Sequence, residues 1–408
     1  MAGQKVDTSN WVRLARAGAI NLTLLNLSAA APRSPKKWLF GHQAGIFAGN
    51  TKYMFLWLSL YRPDIEAVWM SHTQKTHDQL IAQGLRSTLK KSSAGIRAAL
   101  QSGVFFYCHS LFDTNARLSK GAYLVNLWHG VGLKATMFGD KTGIMHDYRA
   151  NWSTPLGRTL FYEYLKQPDL LVTTSEFTQA HFADQFILPP ERCPPLGYPR
   201  LDAAADERLR ALAVRIDQGF GFEFKAGGFD ETYVYMPTWR DTGRDFLEQA
   251  LPDWDRMAAV LKQRNAVLYV KLHPWTFDSW PGDRDNIRLW PGEVEVYTYL
   301  DQLTGLITDY SSIHYDYLFV KRTGSILYTF DYDNYVGNDH SLLYPFDDNT
   351  AGIRADTFEQ LCETIESGAA LEPSPAVDRV REKFWGDSRP PVSGDIAAFV
   401  EARLAERR

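Results

Sequence analysis

Cysteine is scarce in this chain of 408 residues, which contains three. They are Cys108, Cys193 and Cys362, and they stand far apart in the sequence. This spacing offers neither the pairs of a disulfide framework nor the ligand spacing of a metal site. Such usage is typical of a protein in a reducing compartment.

Long apolar runs and a surplus of positive charge are also missing. No segment reaches the roughly 20 apolar residues that a membrane-spanning helix needs. The formal net charge of -4 argues against a protein that coats nucleic acid, because contacts with the phosphate backbone need many Lys and Arg side chains. Any anionic ligand must therefore meet a local positive patch.

Three common catalytic motifs are absent as well. Nothing matches GxxxxGKS/T, no GxGxxG follows a predicted strand, and no GxSxG occurs, which disfavours ATP hydrolysis, hydride transfer and α/β-hydrolase chemistry. Asp331 and Asp333 have the spacing of a metal-binding acidic pair, but a lone pair of this kind after a strand is common, so we predict no metal site there. No cofactor is predicted, and a requirement for Mg²⁺ is left open.

Residues 10–30 (NWVRLARAGAINLTLLNLSAA) carry apolar side chains at helical spacing. Such a helix either packs on its own domain or lies on a membrane with its apolar face in the headgroup region, and the pattern is similar in both settings. A signal peptide is not expected, because Asn21, Thr23 and Asn26 interrupt the apolar core that it needs. We therefore expect a cytoplasmic protein, with peripheral contact to the inner face of the cell membrane as one alternative.

Short apolar runs alternate with amphipathic helical stretches along the whole chain, which is the signature of parallel α/β sheets. The Pro- and Gly-rich stretch 193–203 indicates a connector between two halves. We predict two doubly wound Rossmann-like domains, residues 1–200 and residues 201–408, with a closing helix over 378–408. The predicted strands are 37–41, 65–69, 104–107, 122–127 and 169–173 in the first domain, and 232–236, 266–272, 304–308 and 324–330 in the second.

Ligands of open α/β sheets bind beyond the carboxyl ends of the strands, so polar residues directly after the strands are the candidate site. His129 follows the strand 122–127, where an exposed imidazole can take a proton from an acceptor hydroxyl. The alternative is a histidine that only hydrogen-bonds a neighbouring loop. Gly130 and Lys134 favour the functional interpretation, because a glycine permits close backbone approach and a lysine adds positive charge for a phosphate.

His273 follows the strand 266–272 and precedes Pro274, which sets the turn. An imidazole at this place can donate a hydrogen bond to a phosphoryl oxygen as negative charge grows in the transition state. Lys271 lies two residues earlier, on the same side of the strand. The alternative is a structural histidine whose hydrogen bonds are satisfied internally.

Asp309, Ser311 and Ser312 stand at the start of a predicted helix over 311–321, on which Asp316 also lies. The free N–H groups of the first helical turn make an anion site, and two consecutive serines suit a diphosphate. Ordinary helix capping by one Asp and one Ser explains the same pattern without a ligand. Asp316 either orients a neighbour or binds a ribose hydroxyl.

Trp239 and Arg240 come directly after the strand 232–236. The planar guanidinium can grip a phosphate, and the indole can stack on a base. A buried tryptophan beside a surface Arg–Asp pair is the alternative.

Taken in order, these motifs resemble the CDP-glycerol glycerophosphotransferase family of teichoic-acid and capsule enzymes, which have a GT-B arrangement of two facing Rossmann-like domains. The resemblance extends over about residues 38–335. The stretches that carry it are GNTKYMFLWL (49–58), NLWHGVGLK (126–134), LGYPRLD (196–202), YMPTWRD (235–241), VKLHP (270–274) and ITDYSSIHYDYLFVKR (307–322).

The resemblance implies attack of an acceptor hydroxyl on the β-phosphorus of a CDP-polyol donor, with CMP as the leaving group. His129 and His273 match the two functional histidines of the family, and the loop 309–312 matches its donor-phosphate region. The implied acceptor is a glycan or a polyol phosphate, either free or linked to a lipid.

Two positions depart from the usual family pattern, since Gly132 and Thr323 stand where proline is common. Both changes can reshape loops near the acceptor or the donor. Glycerol, ribitol and other alditols therefore all remain compatible, and so do addition of a first unit and polymerisation. The rival hypotheses are a GT-B glycosyltransferase or UDP-sugar epimerase, and an inactive scaffold held at a membrane.

Overall fold

Two parallel β-sheets of six strands each organise the chain in the computed structural model. The structure describes residues 20–131, 135–139, 154–224, 228–238, 240, 246–272, 280–338 and 343–407. Three of the predicted site residues, Lys134, Trp239 and His273, lie outside these described residues.

The first sheet has the strand order β3-β2-β1-β4-β5-β6. Its strands β4 and β5, which lie between β1 and β6, are buried along their whole length, which explains why they are apolar runs without alternation. The strands are β1 (Ser34–Phe40), β2 (Glu66–Ser71), β3 (Ser87–Leu89), β4 (Ser102–Tyr107), β5 (Tyr123–Asn126) and β6 (Leu170–Leu171).

The second sheet has the order β12-β11-β10-β7-β8-β9. Its topology is the same as that of the first sheet, because the first strand of each sheet lies beside the fourth. The predicted α/β class with two doubly wound sheets is therefore confirmed. The strands are β7 (Glu231–Met236), β8 (Ala266–Val270), β9 (Ile287–Leu289), β10 (Gly305–Thr308), β11 (Ser325–Tyr328) and β12 (Gly352–Ala355).

Helices connect the strands, and several begin at a side chain that caps the first turn. Ser175, Asp206 and Asp253 each accept a hydrogen bond from a backbone N–H of that turn. The helices are α1 (20–30), α2 (Gly49–Tyr61), α3 (Gln74–Ala82), α4 (Ser93–Gln101), α5 (Pro155–Leu160), α6 (Tyr162–Leu165), α7 (Glu176–Phe186), α8 (Glu207–Gly219), α9 (Leu247–Ala250), α10 (Trp254–Gln263), α11 (Ile313–Lys321), α12 (Tyr332–Asn338), α13 (Phe358–Ser367), α14 (Pro375–Trp385) and α15 (Ser393–Glu406).

The last helix, α15, is fastened to the first half of the chain. The buried carboxylate of Asp202 accepts hydrogen bonds from the backbone N–H groups of Val392 and Ser393, at 2.8 and 3.0 Å. Further along α15, Glu401 pairs with Arg62 at 2.9 Å. The closing helix thus contacts residues on both sides of the predicted division at 200/201, and that division stays a prediction.

The helix α1 packs on the first sheet domain by one face only. Leu25 and Ser28 are buried, and the Ser28 hydroxyl donates to the Lys120 carbonyl at 2.9 Å. On the opposite face Leu22 and Leu27 are 50% and 55% exposed. Among the described residues, no helix is both long and apolar enough to cross a bilayer.

Candidate active site

Each sheet changes its winding direction between two neighbouring strands, and the carboxyl ends of those strands are where open α/β sheets bind ligands. In the first sheet these strands are β1 and β4, which pair in parallel. His42 and His109 follow them by two residues each. In the second sheet the strands are β7 and β10, which are followed by Thr238 and Asp309. The two switch points thus place polar side chains directly after the carboxyl ends of these strands.

The turn that carries His129 is held rigidly. Trp128 has a left-handed backbone with φ 52°, which a non-glycine residue adopts at a cost, and its indole is buried. Asn126 Oδ1 accepts the Trp128 N–H at 2.7 Å, and the buried Asn50 amide donates to the carbonyls of Leu127 and Trp128 at 3.0 and 2.9 Å. These bonds compensate the strain and set the direction of the following residue, His129.

The His129 ring has one nitrogen committed and one available. Its Nδ1 lies 3.3 Å from the Cys108 carbonyl, which can only accept, so Nδ1 carries the proton and Nε2 keeps its lone pair. Surrounding protein and then the neighbouring His109 hold the pKa of His129 well below its usual value, while the side chain keeps a solvent-exposed face. The ring is therefore neutral at neutral pH and suited to act as a base.

Gly130 is one of the places where the two halves of the chain touch. A Cβ atom on Gly130 would lie 2.4 Å from the Ser312 hydroxyl oxygen, which belongs to the second sheet domain. Only glycine allows this approach. The loop that carries His129 thus lies directly against the loop that was predicted to bind the donor phosphates.

A buried ion pair, missed at the sequence level, joins these loops from behind. Arg200 donates to the His129 carbonyl at 2.6 Å and to both carboxylate oxygens of Asp316 at 2.8 and 2.7 Å. The two side chains are 2% and 0% exposed. Tyr297 adds a hydroxyl bond to Asp316 at 3.2 Å. Asp316 therefore orients a neighbour, which was one of the two roles left open for it, and Arg200 stands in the LGYPRLD stretch.

Ser311 and Ser312 precede α11 and are half-buried. In the part of the chain that the structure describes, Ser312 stands at the N-cap without a side-chain capping bond, so its hydroxyl is available. The helix N-terminus and this hydroxyl face the His129 loop, which is the arrangement that an anionic ligand needs.

Asp309 and Arg240 have internal partners. Asp309 accepts hydrogen bonds from the Thr238 N–H and hydroxyl at 2.9 and 2.6 Å and from Arg240 at 3.0 Å. Arg240 is 3% exposed and also binds Asp331, at 2.7 Å. These bonds hold the ends of β7, β10 and β11 together. Direct phosphate binding by Arg240 stays a prediction that this geometry does not favour, because the guanidinium is already occupied by two carboxylates.

Lys271 also points into the protein. Its Nζ donates to the carbonyls of Pro291 and Val294 at 3.1 and 2.7 Å, and burial lowers its pKa to about 8. Close by, Glu295 accepts the Gly49 N–H at 2.8 Å, at the first residue of α2. Burial raises the pKa of Glu295. Donor binding by Lys271 stays a prediction, because two carbonyls already accept hydrogen bonds from its ammonium group, and Glu295 joins α2 to the second sheet domain.

Asp331, one member of the acidic pair, accepts hydrogen bonds from Arg240 with both carboxylate oxygens, at 2.7 and 2.9 Å. Within the described ranges, no group of three or more His, Cys, Asp or Glu side chains could hold a metal ion.

Comparison with known proteins identifies similar chains. The sequence profile of the family described as CDP-Glycerol:Poly(glycerophosphate) glycerophosphotransferase matches residues 27–385. The chain is 26% identical over 265 residues to the teichoic acid ribitol-phosphate polymerase TarK of Staphylococcus aureus, which covers 64% of this chain and 48% of TarK. It is 22% identical over 297 residues to the teichoic acid poly(glycerol phosphate) polymerase of Staphylococcus epidermidis, which covers 71% of this chain and 39% of that protein. The chain spans less than half the length of these two relatives.

A solved structure of the wall teichoic acid polymerase TagF has the same fold. The two superimpose with a TM-score of 0.75 at 16% identity, over 99% of this chain and 100% of that chain. At this identity the likeness shows the fold alone, and it confirms the predicted GT-B-like arrangement.

Proposed function

This chain belongs to the CDP-glycerol:poly(glycerophosphate) glycerophosphotransferase family, and we propose that it transfers a polyol-phosphate unit from a CDP-activated donor to an acceptor hydroxyl. The product is a cell-surface polymer of the teichoic acid or capsule type. The observation that carries this proposal is the His129 ring, with a free Nε2, on a loop in contact with the Ser312 loop at the start of α11.

In the proposed reaction, His129 Nε2 takes the proton of the acceptor hydroxyl. The acceptor oxygen forms a bond to the β-phosphorus of the donor, and the bond from that phosphorus to the bridging oxygen breaks. CMP leaves with the electron pair. General-base assistance of this kind contributes typically about 100- to 10,000-fold to a rate.

The donor diphosphate is proposed to lie at the start of α11, where Ser311, Ser312 and the helix N-terminus supply hydrogen-bond donors and positive potential. Asp309 and Arg240 serve this site indirectly by holding its loops. The roles of His273, Trp239 and Lys134 rest on the sequence, because these residues lie outside the described part of the chain.

The transferred unit is proposed to be glycerol phosphate or ribitol phosphate, because relatives of both kinds match this chain. The acceptor is proposed to be a glycan or polyol phosphate that meets the first sheet domain on the His129 side. The buried, unpaired cysteines fit a cytoplasmic location, where CDP-activated donors are available.

A donor screen tests this function. The purified chain is incubated with CDP-glycerol, CDP-ribitol or UDP-sugars and a glycan or polyol-phosphate acceptor, and CMP and UDP are quantified. We expect acceptor-dependent release of CMP and a new phosphodiester signal by phosphorus NMR. Release of UDP without CMP would support the glycosyltransferase or epimerase alternative, and donor binding without turnover would support the inactive scaffold.

Contact with the inner face of the membrane is proposed to occur through α1. Transfer of an exposed Leu side chain out of water is worth about 1.5 kcal/mol or more. We therefore expect the double substitution Leu22→Ser, Leu27→Ser to weaken binding to anionic vesicles at least about tenfold in a flotation assay.

Ile81→Ser is the matched control for the membrane experiment, because Ile81 is 50% exposed on α3 and as apolar as the two leucines. It should leave vesicle binding unchanged. Equal binding by the parent and the α1 variant would remove the membrane proposal.

A further inference from the structure

Three imidazole rings lie side by side at the switch point of the first sheet. His109 stacks on His129 with ring centroids 4.3 Å apart and an interplanar angle of 13°. His42 meets His109 edge-on, with centroids 4.8 Å apart. Because His42 and His109 follow the neighbouring strands β1 and β4, the sheet itself holds this row in place behind the proposed base.

A buried carboxylate supports the middle ring. Asp113 is 1% exposed, and its Oδ2 accepts the backbone N–H groups of Cys108 and His109 at 3.0 and 2.9 Å. The same oxygen lies 3.6 Å from His109 Nδ1. Burial opposes the charge of Asp113, but hydrogen bonding from His109 and its positive charge hold the pKa of this carboxyl below its usual value. The loop that presents His109 is thus fixed by a negative charge.

His109 does not have the environment of a purely structural histidine. Its side chain is 26% exposed, and its Nδ1 lies 3.6 Å from Asp113 Oδ2, beyond hydrogen-bond distance. The flat face of the ring lies against His129, with the two ring centroids 4.3 Å apart. This contact with the proposed base indicates an action on His129.

We propose that His109 is a positioning residue of the transfer reaction. Its ring keeps His129 oriented with Nε2 toward the cleft, and its charge sets the pH range over which His129 accepts a proton. This inference rests on the proposed function.

His109 acts on His129 both sterically and electrostatically. One hydrogen bond, from Nδ1 to the Cys108 carbonyl, does not fix the His129 ring by itself. The stacked ring of His109 further restricts rotation of the imidazole about its side-chain bonds. Among the described residues, the charged or titratable groups that act on the pKa of His129 are His109, Arg200 and His42, and the Cys108 carbonyl accepts a hydrogen bond from its Nδ1. Positive charge on His109, Arg200 or His42 disfavours a second proton on His129, and Asp113 offsets part of that charge.

Two substitutions separate the steric effect of the His109 ring from the effect of its charge. His109→Ala removes the ring and should lower kcat about tenfold or more, with the KM for the donor unchanged, because only the position of the base is affected. His109→Phe keeps a flat ring but removes the titratable nitrogens, so it should retain more turnover than His109→Ala. In His109→Phe a source of positive charge beside His129 is lost, so the pKa of His129 should rise. The acid limb of the kcat/KM profile should then shift by about 0.5–1 pH unit toward higher pH.

His77→Phe is the matched control. His77 lies on α3 with a hydrogen bond to Ser87, away from the cleft, and its substitution should leave the pH profile in place. A role in folding alone would give His109→Phe a pH profile that superimposes on that of the parent. That result, or parental kcat in His109→Ala, would overturn the proposal.

An NMR titration of the histidine ring protons gives a readout that does not depend on turnover. The His129 resonance, assigned by its loss in His129→Gln, should titrate at higher pH in His109→Phe than in the parent. If the parent turns over no CDP-polyol, the proposed function fails, while this titration still tests the coupling of the two rings. Unchanged titration of His129 would overturn the coupling.

Discussion

His129→Ala is expected to lower kcat by about 100- to 10,000-fold, because the transfer loses its general base. Binding of the donor should persist, since the Ser312 hydroxyl and the start of α11 belong to the other sheet domain. The measurement is CMP release under saturating donor and acceptor, together with calorimetric titration of the CDP-polyol.

The fold should survive this substitution, because the ring is solvent-exposed and makes one hydrogen bond with the described protein. A melting curve that matches the parent is the control that separates lost chemistry from lost structure. Turnover near the parental rate would remove His129 from the mechanism.

The pH dependence of the parent follows from the direction of the His129 shift. In the folded protein the pKa of His129 lies well below that of a free histidine. The His129 ring therefore stays neutral as pH falls from 7.5 to 6. Activity limited by His129 should stay level over this interval and be lost only at lower pH.

Arg200→Met is the second substitution with a large expected effect, which is a loss of folding stability. The substitution leaves the fully buried Asp316 carboxylate without its countercharge and removes the bond to the His129 carbonyl. Breaking a buried pair in this way costs about 3–5 kcal/mol. We expect a loss of this size in the free energy of unfolding, measured by urea denaturation, and a fall in kcat because the His129 loop loses an anchor.

Two further variants separate the causes. Arg215→Ala, an exposed arginine on α8, should change stability by no more than about 0.5 kcal/mol. The double variant Arg200→Met, Asp316→Leu should recover much of the lost stability, because replacing both members of a buried pair by apolar residues is often neutral. It should not recover turnover. An Arg200→Met protein as stable as the parent would contradict the role of this pair.

Sequence periodicity located the central strands well, since each of the predicted strands overlaps an observed one. It missed β3, β9 and β12, which have three or four residues each and lie at or near the sheet edges. Most side chains of these three strands are exposed or only partly buried, so the segments lack the apolar run that marks a buried strand, and packing decides their conformation.

The histidine at the end of β5 was identifiable because its neighbours stand in one continuous motif. In the structure, Gly130 lies against Ser312, so the loop of His129 contacts the loop at the start of α11. His42, His109 and Asp113 also follow strand ends, but the order of strands in the sheet was needed to show that β1 and β4 are neighbours and that these side chains meet.

The chain by itself determined two doubly wound sheets, an exposed imidazole after β5 and two serines directly before α11, because these depend on local periodicity and turn residues. The tertiary structure alone decided what each buried charge meets. Arg240, expected to bind a phosphate, faces Asp309 and Asp331, and Arg200, within a predicted connector, holds Asp316 and the His129 loop. A charge removed from water must find a partner, and which partner is within reach depends on segments far apart in the sequence that the fold brings together.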